Sequence, residues 1–206
     1  MIAQAELRVT DLKQYAYCPR IPFYQHVMGF DGKPTRKMAR GREAQAAIEA
    51  LEQRRTLREY GAKRKRNSAQ LHELSEGRRH FAPWLTSHEL GLAGKLDLLI
   101  ETDAACFPVD FKYTSCRPHR NHQLQLAGYA LLVEEAFCKP VPAGFIFLTL
   151  NDEIVGIPMT PVLMSEARSA LRELAMMIEH EQFPEPTPIR NRCTDCEYRN
   201  FCGDVF

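Results

Sequence analysis

Apolar residues follow a helical period near both ends of this chain and a strand period in its middle. In TDLKQYAYCPRIPFYQHVM, residues 10–28, aromatic side chains recur at helical spacing behind Thr10 or Asp11 as a cap. That spacing predicts a short helix interrupted near Pro19 and then resumed. From Lys37 to about Tyr60, Met38, Ala46, Ile48, Leu51 and Leu57 take apolar positions with arginines opposite, which predicts a second helix closed by Gly61. The run Lys63, Arg64, Lys65, Arg66 opens a polar stretch towards His80 that reads as strand followed by exposed turn.

In the middle, WLTSHELGLAGKLDLLIE, ACFPVDFKYT, AGFIFLTL and EIVGIPM are short apolar runs, and RNHQLQLAGYALLVEEAF between the second and third reads as a helix. Strand, strand, helix, strand, strand on one sheet gives an α/β or α+β core. Between Val162 and Glu181, Leu163, Ala167, Leu171, Leu174, Met177 and Ile178 fall on one helical face, which should pack on that core. FPEPTPIR then carries the chain, without continuous helix, to its last cysteines.

At 206 residues and 45% hydrophobic content, the chain can bury a core as one domain. It has no run of about 20 apolar residues and no signal-peptide pattern at its start, so a cytoplasmic protein is expected, without membrane contact. The formal charge of +1 hides an asymmetry: residues 33–80 hold fourteen Lys and Arg against six Asp and Glu. Such a block suits either a polyanion-binding surface or a solvated helix face.

Seven cysteines in a reducing compartment read as metal ligands or small buried hydrophobes. NRCTDCEYRNFCGDVF places Cys193, Cys196 and Cys202 within ten residues, and thiolate ligation normally wants a fourth. Iron–sulfur and zinc both suit such ligands. Cys106, Cys116 and Cys138 lack the spacing and read as ordinary thiols.

GKLDLLI places Asp97 in one apolar run, and PVDFKYT places Asp110 and Lys112 in the next. In a strand, Asp110 and Lys112 share a face while Val109 and Phe111 take the other. An aspartate and a lysine in apolar surroundings are costly unless paired, so they form either a structural ion pair or a reactive site. Carboxylates that hold divalent ions, beside a lysine that stabilises charge, fit phosphodiester hydrolysis. Gln125 and Tyr129, four apart on the following helix, could line the same cleft.

These residues resemble the RecB-type branch of the restriction-endonuclease-like, PD-(D/E)xK nucleases, whose motifs are G-x-x-D, D/E-x-K and Q-x-x-x-Y. Here they stand as Gly94 to Asp97, Asp110-Phe111-Lys112 and Gln125 to Tyr129. With Cys18 near the start, the chain resembles the CRISPR-associated iron–sulfur exonucleases, the fourth-numbered Cas protein family. The resemblance implies an α/β core with a helical amino-terminal part over residues 1–206 as one nuclease domain. It also implies a 4Fe-4S cluster on Cys18, Cys193, Cys196 and Cys202, in a subdomain made from 10–30 and 184–206. Catalytic residues would be Asp97, Asp110, Lys112, Gln125 and Tyr129. Manganese or magnesium would be held by Asp97, Asp110, Phe111 and Gln45, which stands where the family's G-x-x-x-H motif has a histidine.

The implied activity is exonuclease trimming of single-stranded or overhang-bearing DNA during CRISPR adaptation, with a spacer integrase and selection of the adjacent motif. Arg36, Lys37, Arg40, Arg42, Arg54, Arg55 and Arg58 would guide the phosphate backbone. The alternative is a DNA-binding adaptation subunit whose nuclease centre is weakened by Gln45. His26 and His72, off the motif spacing, read as structural or surface histidines.

Overall fold

The computed structural model describes residues 7–30 and 77–203. The helix expected from Lys37, the basic run at Lys63, His72, Gln45 and the seven candidate DNA-contacting residues from Arg36 to Arg58 lie outside the described residues. Strand β1 (Leu7–Arg8) leads into helices α1 (Val9–Tyr17) and α2 (Arg20–His26). Strands β2 (Arg78–Phe81), β3 (Trp84–Ser87), β4 (Leu92–Lys95), β5 (Leu98–Glu101) and β6 (Cys106–Lys112) precede α3 (Arg120–Phe137). Then come β7 (Ala143–Leu148), β8 (Glu153–Pro158), α4 (Pro161–Glu179), a 3-10 turn (Arg190–Cys193) and α5 (Arg199–Cys202).

The interruption near Pro19 is present. Cys18 is extended, at φ −160°, and Pro19 starts α2 as its N-cap. Neither Thr10 nor Asp11 is the N-cap of α1. The helix begins earlier, with Arg8 as cap, and Asp11 in the third helical position accepts the Arg8 amide at 2.9 Å. An acid in the first turn can satisfy that amide from inside the helix.

The strands form two sheets, not the single one expected. One has the order β1-β4-β3, the other β2-β5-β6-β7-β8. The run from Trp84 to Glu101, read as one apolar segment, breaks at Leu96–Asp97, where the chain crosses from the small sheet to the large one. The neighbouring chain crosses at Ala82–Pro83, and the two corners bond to each other: Ala82 N–H to the Asp97 carbonyl and Leu96 N–H to the Pro83 carbonyl, both 3.0 Å. Pro83 cannot donate to a ladder, and Ala82 turns through φ +49°, so neither strand runs straight on.

In the large sheet β6 is central, antiparallel to β5 and parallel to β7. The right number of residues for a parallel connection is supplied by α3, which packs on β6 and β7. The period of two splits the sheet cleanly. Leu99, Cys106, Ile146 and Leu148 join the core with α1, α3 and α4, while Leu98, Ile100, Phe107, Val109, Phe111 and Phe147 make a second apolar cluster on the other face. The face predicted for α4 is the one it buries: Leu163, Ala167, Leu171, Leu174 and Met177, with Ile178 partly covered.

Candidate functional site

Asp110 and Lys112 lie on the α3-facing side of β6, opposite in sense to Val109 and Phe111, as the alternation predicts. Asp110 is 4% exposed, and its Oδ2 sits 2.6 Å from Lys112 Nζ. The β5–β6 register pairs Leu98 with Val109, so one further step along the antiparallel ladder brings Asp97 opposite Asp110. Asp97 is 8% exposed, and its Oδ2 accepts the Phe111 N–H at 2.7 Å. The carboxylate thus replaces the ladder bond that β5, ending at the sheet crossing, no longer supplies. The corner and the buried acid have one cause.

The glycine of the first motif is explained by what lies against it. A Cβ on Gly94 would come within 2.9 Å of Tyr129 Cε1 and of Val9 Cγ2. Tyr129 runs over this gap and donates from its hydroxyl to the Lys95 carbonyl at 2.8 Å. Burial pushes its phenol well above the ordinary range, and the charges of Asp110 and then Asp97 push the same way. Gln125, one turn earlier, is 4% exposed, and its Oε1 has no partner among the described residues. Thr149, whose amide donates to the Lys112 carbonyl at 3.0 Å, has a buried Oγ1 that likewise lacks a partner among the described residues. Orphaned buried acceptors are what a site for a cation, water or bound donor would leave.

Two residues that sequence reasoning missed join this group. Lys13, half-buried on α1, is lowered to about 8 by burial and then by Lys112, while Asp110, Glu197 and Asp97 oppose the fall. Its amine feels the charges of both acids and of Glu197. His122, on the same α3 face as Gln125 and Tyr129, is pushed down to about 3 by burial, then Lys112, then Lys13. Its Nδ1 accepts the His119 amide at 3.2 Å, so the neutral ring has Nε2 as its donor. No spacing rule marks Lys13. Its helix comes close because Gly128 is bare: a Cβ there would meet Leu12 Cδ2 at 3.1 Å and Val9 Cγ1 at 3.2 Å. His122 was legible in principle as Gln125 minus three.

The second constellation joins the chain's two ends. Cys18, Cys193, Cys196 and Cys202 line one cavity with Tyr24 and Arg20. Burial pushes the Cys196 thiol up, the Tyr198 backbone N–H pulls it down, and the charges of Cys18, Cys193 and Cys202 push it up again. Arg192 fastens the surroundings, donating from Nη1 to the Tyr17 carbonyl at 2.6 Å and the Ala16 carbonyl at 3.2 Å while its guanidinium lies 4.9 Å from the Tyr17 ring centre. Tyr17 and Tyr198 hydroxyls return bonds to the Arg192 and Phe30 carbonyls at 3.0 and 3.2 Å. By contrast Cys106 is buried in the core, and Cys116 and Cys138 are exposed, away from this set. Among the described residues, no three His, Cys, Asp or Glu side chains are placed to hold a single metal ion, and no helix is long and apolar enough to cross a membrane.

The PD-(D/E)XK nuclease superfamily model matches residues 6–203. The CRISPR-associated exonuclease Cas4 of Francisella tularensis subsp. novicida is 31% identical over 193 residues, covering 94% of this chain and 91% of that protein. Its namesake from Aeropyrum pernix is 27% identical over 202 residues, covering 94% and 93%. Among solved structures, SSO0001 superposes with a TM-score of 0.51 at 14% identity over 100% of this chain and 90% of its own. A protein of Eubacterium rectale superposes at 0.56 and 14% identity over 97% and 88%. At that identity the two structures support the fold alone. The sequence matches carry more, and with them the chain belongs to the Cas4 family of CRISPR-associated exonucleases, within the PD-(D/E)XK nuclease superfamily.

Proposed function

We propose that this exonuclease shortens single-stranded DNA ends, including overhangs on spacer precursors in CRISPR adaptation, at the group formed by Asp97, Asp110 and Lys112. The observation that carries the reading is the Phe111 amide bonded to Asp97 between Asp110 and Lys112, which unites two motifs from different strands. Hard carboxylate and carboxamide oxygens fit manganese or magnesium, and Gln125 Oε1 is a buried acceptor of that kind. Asp97, Asp110, Phe111 and Gln45 would hold the ion, which supplies Lewis-acid activation of a phosphate oxygen and of water.

The chain's own residues do the rest. Lys112 Nζ, held by Asp110, places positive charge where a non-bridging phosphate oxygen gains negative charge as water attacks phosphorus and the P–O ester bond breaks. Lys13 adds a second cation on the same side, and neutral His122 can donate from Nε2 to a phosphate oxygen. Gln125 orients the attacking water, and Tyr129 fixes the corner carrying Asp97 through Lys95. Arg36, Lys37, Arg40, Arg42, Arg54, Arg55 and Arg58 supply backbone affinity without sequence choice.

Cys18, Cys193, Cys196 and Cys202 hold a 4Fe-4S cluster in this reading, supported by four thiols around one cavity and by the family resemblance. The unit formed by 10–30 and 184–206 is then a subdomain of one nuclease domain, working in the cytoplasm beside a spacer integrase. A second reading, a DNA-binding subunit with a weakened centre, is favoured by Gln45 standing where a histidine is expected. An amide is a weaker manganese ligand than imidazole. End-labelled single strands, blunt duplex and overhang-bearing duplex, each incubated with manganese and wild type or Gln45→His, separate the two. Shortening of single-stranded ends by wild type supports the first. DNA binding without cutting, restored by Gln45→His, supports the second.

A further inference from the structure

Arg20 and Tyr24 lie four residues apart on α2, so they share a face, and that face is turned to the cysteine cavity. Arg20 is 8% exposed and held on several sides. Its Nε donates to the Pro184 carbonyl at 2.9 Å, its guanidinium lies 4.5 Å from the Phe183 ring centre, and its Nη1 donates to Cys202 Sγ at 3.4 Å. Tyr24 hydrogen-bonds the same sulfur. The Tyr198 backbone N–H serves Cys196. A permanently charged, planar donor therefore stands at one sulfur of the cavity.

We infer that Arg20, with Tyr24 beside it, is a positioning residue for the Cys202 ligand that raises the reduction potential of the bound cluster. This rests on the iron–sulfur reading above. Reduction of a thiolate-ligated cluster adds one negative charge, shared with the ligand sulfurs. A cation and hydrogen bonds at a sulfur stabilise the reduced form more than the oxidised one, which moves the potential upward. Arginine suits the task because it stays charged when buried and its fork serves Pro184 and Cys202 together, whereas a lysine ammonium presents a single point of charge. The same α2 turn follows directly on Cys18, so one short helix sets one ligand and tunes another from the opposite end of the chain.

The test is electrochemistry on anaerobically purified wild type, Arg20→Lys, Arg20→Gln and Tyr24→Phe, each with iron and sulfide content measured. The expected order is a potential highest in wild type, lower in Arg20→Lys and lowest in Arg20→Gln, with a smaller downward shift in Tyr24→Phe. Resonance Raman of the wild type alone gives a second readout, with terminal Fe–S stretching bands expected to move in deuterated buffer. Full cluster content with unchanged potentials in both Arg20 variants overturns the inference. So do Raman bands indifferent to deuterium, even where the variants fail to load. Wild type that binds no iron and sulfide overturns the cluster reading itself, and the inference with it.

Discussion

A methyl group at position 94 would have to share space with the Tyr129 ring and the Val9 side chain, both packed at 2.9 Å from its ideal position. Gly94→Ala should cost about 1–3 kcal/mol, as overpacking in a closed core does, measured by urea denaturation. It should also displace the Tyr129 bond to Lys95 and so slow cutting. His26 offers a pH test of the opposite end. Its hydrogen bond to Asp11 at 3.0 Å raises its affinity for a proton, outweighing partial burial and the nearby Arg8. A raised folded value means the stabilisation is complete below the unfolded value of about 6.5 and is lost as pH rises through the folded one. The melting-temperature gap between wild type and His26→Ala should therefore shrink from about pH 6 to about pH 8. At this scale the face shared by Asp110 and Lys112 and the helix carrying Gln125 and Tyr129 were legible, because strand and helix periods fix which side chains lie together. Lys13 was not, since nothing local distinguishes it from any lysine on a helix.

At the scale of elements, the legible parts are those with a clear period. Helix α3 spans the stretch read for it, and α4 buries the predicted face, because long apolar periodicity leaves little choice. The two-sheet arrangement was hidden. An apolar run from Trp84 to Glu101 does not announce a crossing, and the cause lies in Pro83 and Ala82, on a different part of the chain from the corner they bond. The close approach of α1 to α3 was equally hidden, resting on Gly128. Lys13 sits on the helix so placed, and the charges of both acids act on it. Lys13→Met should lower kcat/KM on single-stranded DNA by about tenfold or more, as loss of a charge-stabilising group does. The melting temperature should be unchanged or higher, because a charged amine no longer has to be buried. Reduced activity explained by a matching loss of stability would remove Lys13 from the site.

At the scale of the molecule, the two ends meet through more than cysteines. Arg192 on Tyr17 and Ala16, Tyr198 on Phe30, and the stacked Tyr24 and Tyr198 rings, 5.6 Å apart, would hold them in contact on their own. Cys193→Ala should still lower the melting temperature by several degrees and weaken DNA binding together, since a ligand that docks only on the folded chain adds its binding energy to stability. Full stability without iron would count against a structural cluster.

The proposed hydrolytic centre is the group of Asp97, Asp110 and Lys112. The most direct measurement is a time course of end-labelled single-stranded DNA with manganese, for anaerobically purified wild type and Lys112→Ala, with DNA binding followed in parallel. Wild type should shorten the strand progressively, Lys112→Ala should be slower by at least about a hundredfold, and both should bind similarly. Equal shortening by the two proteins would contradict that assignment.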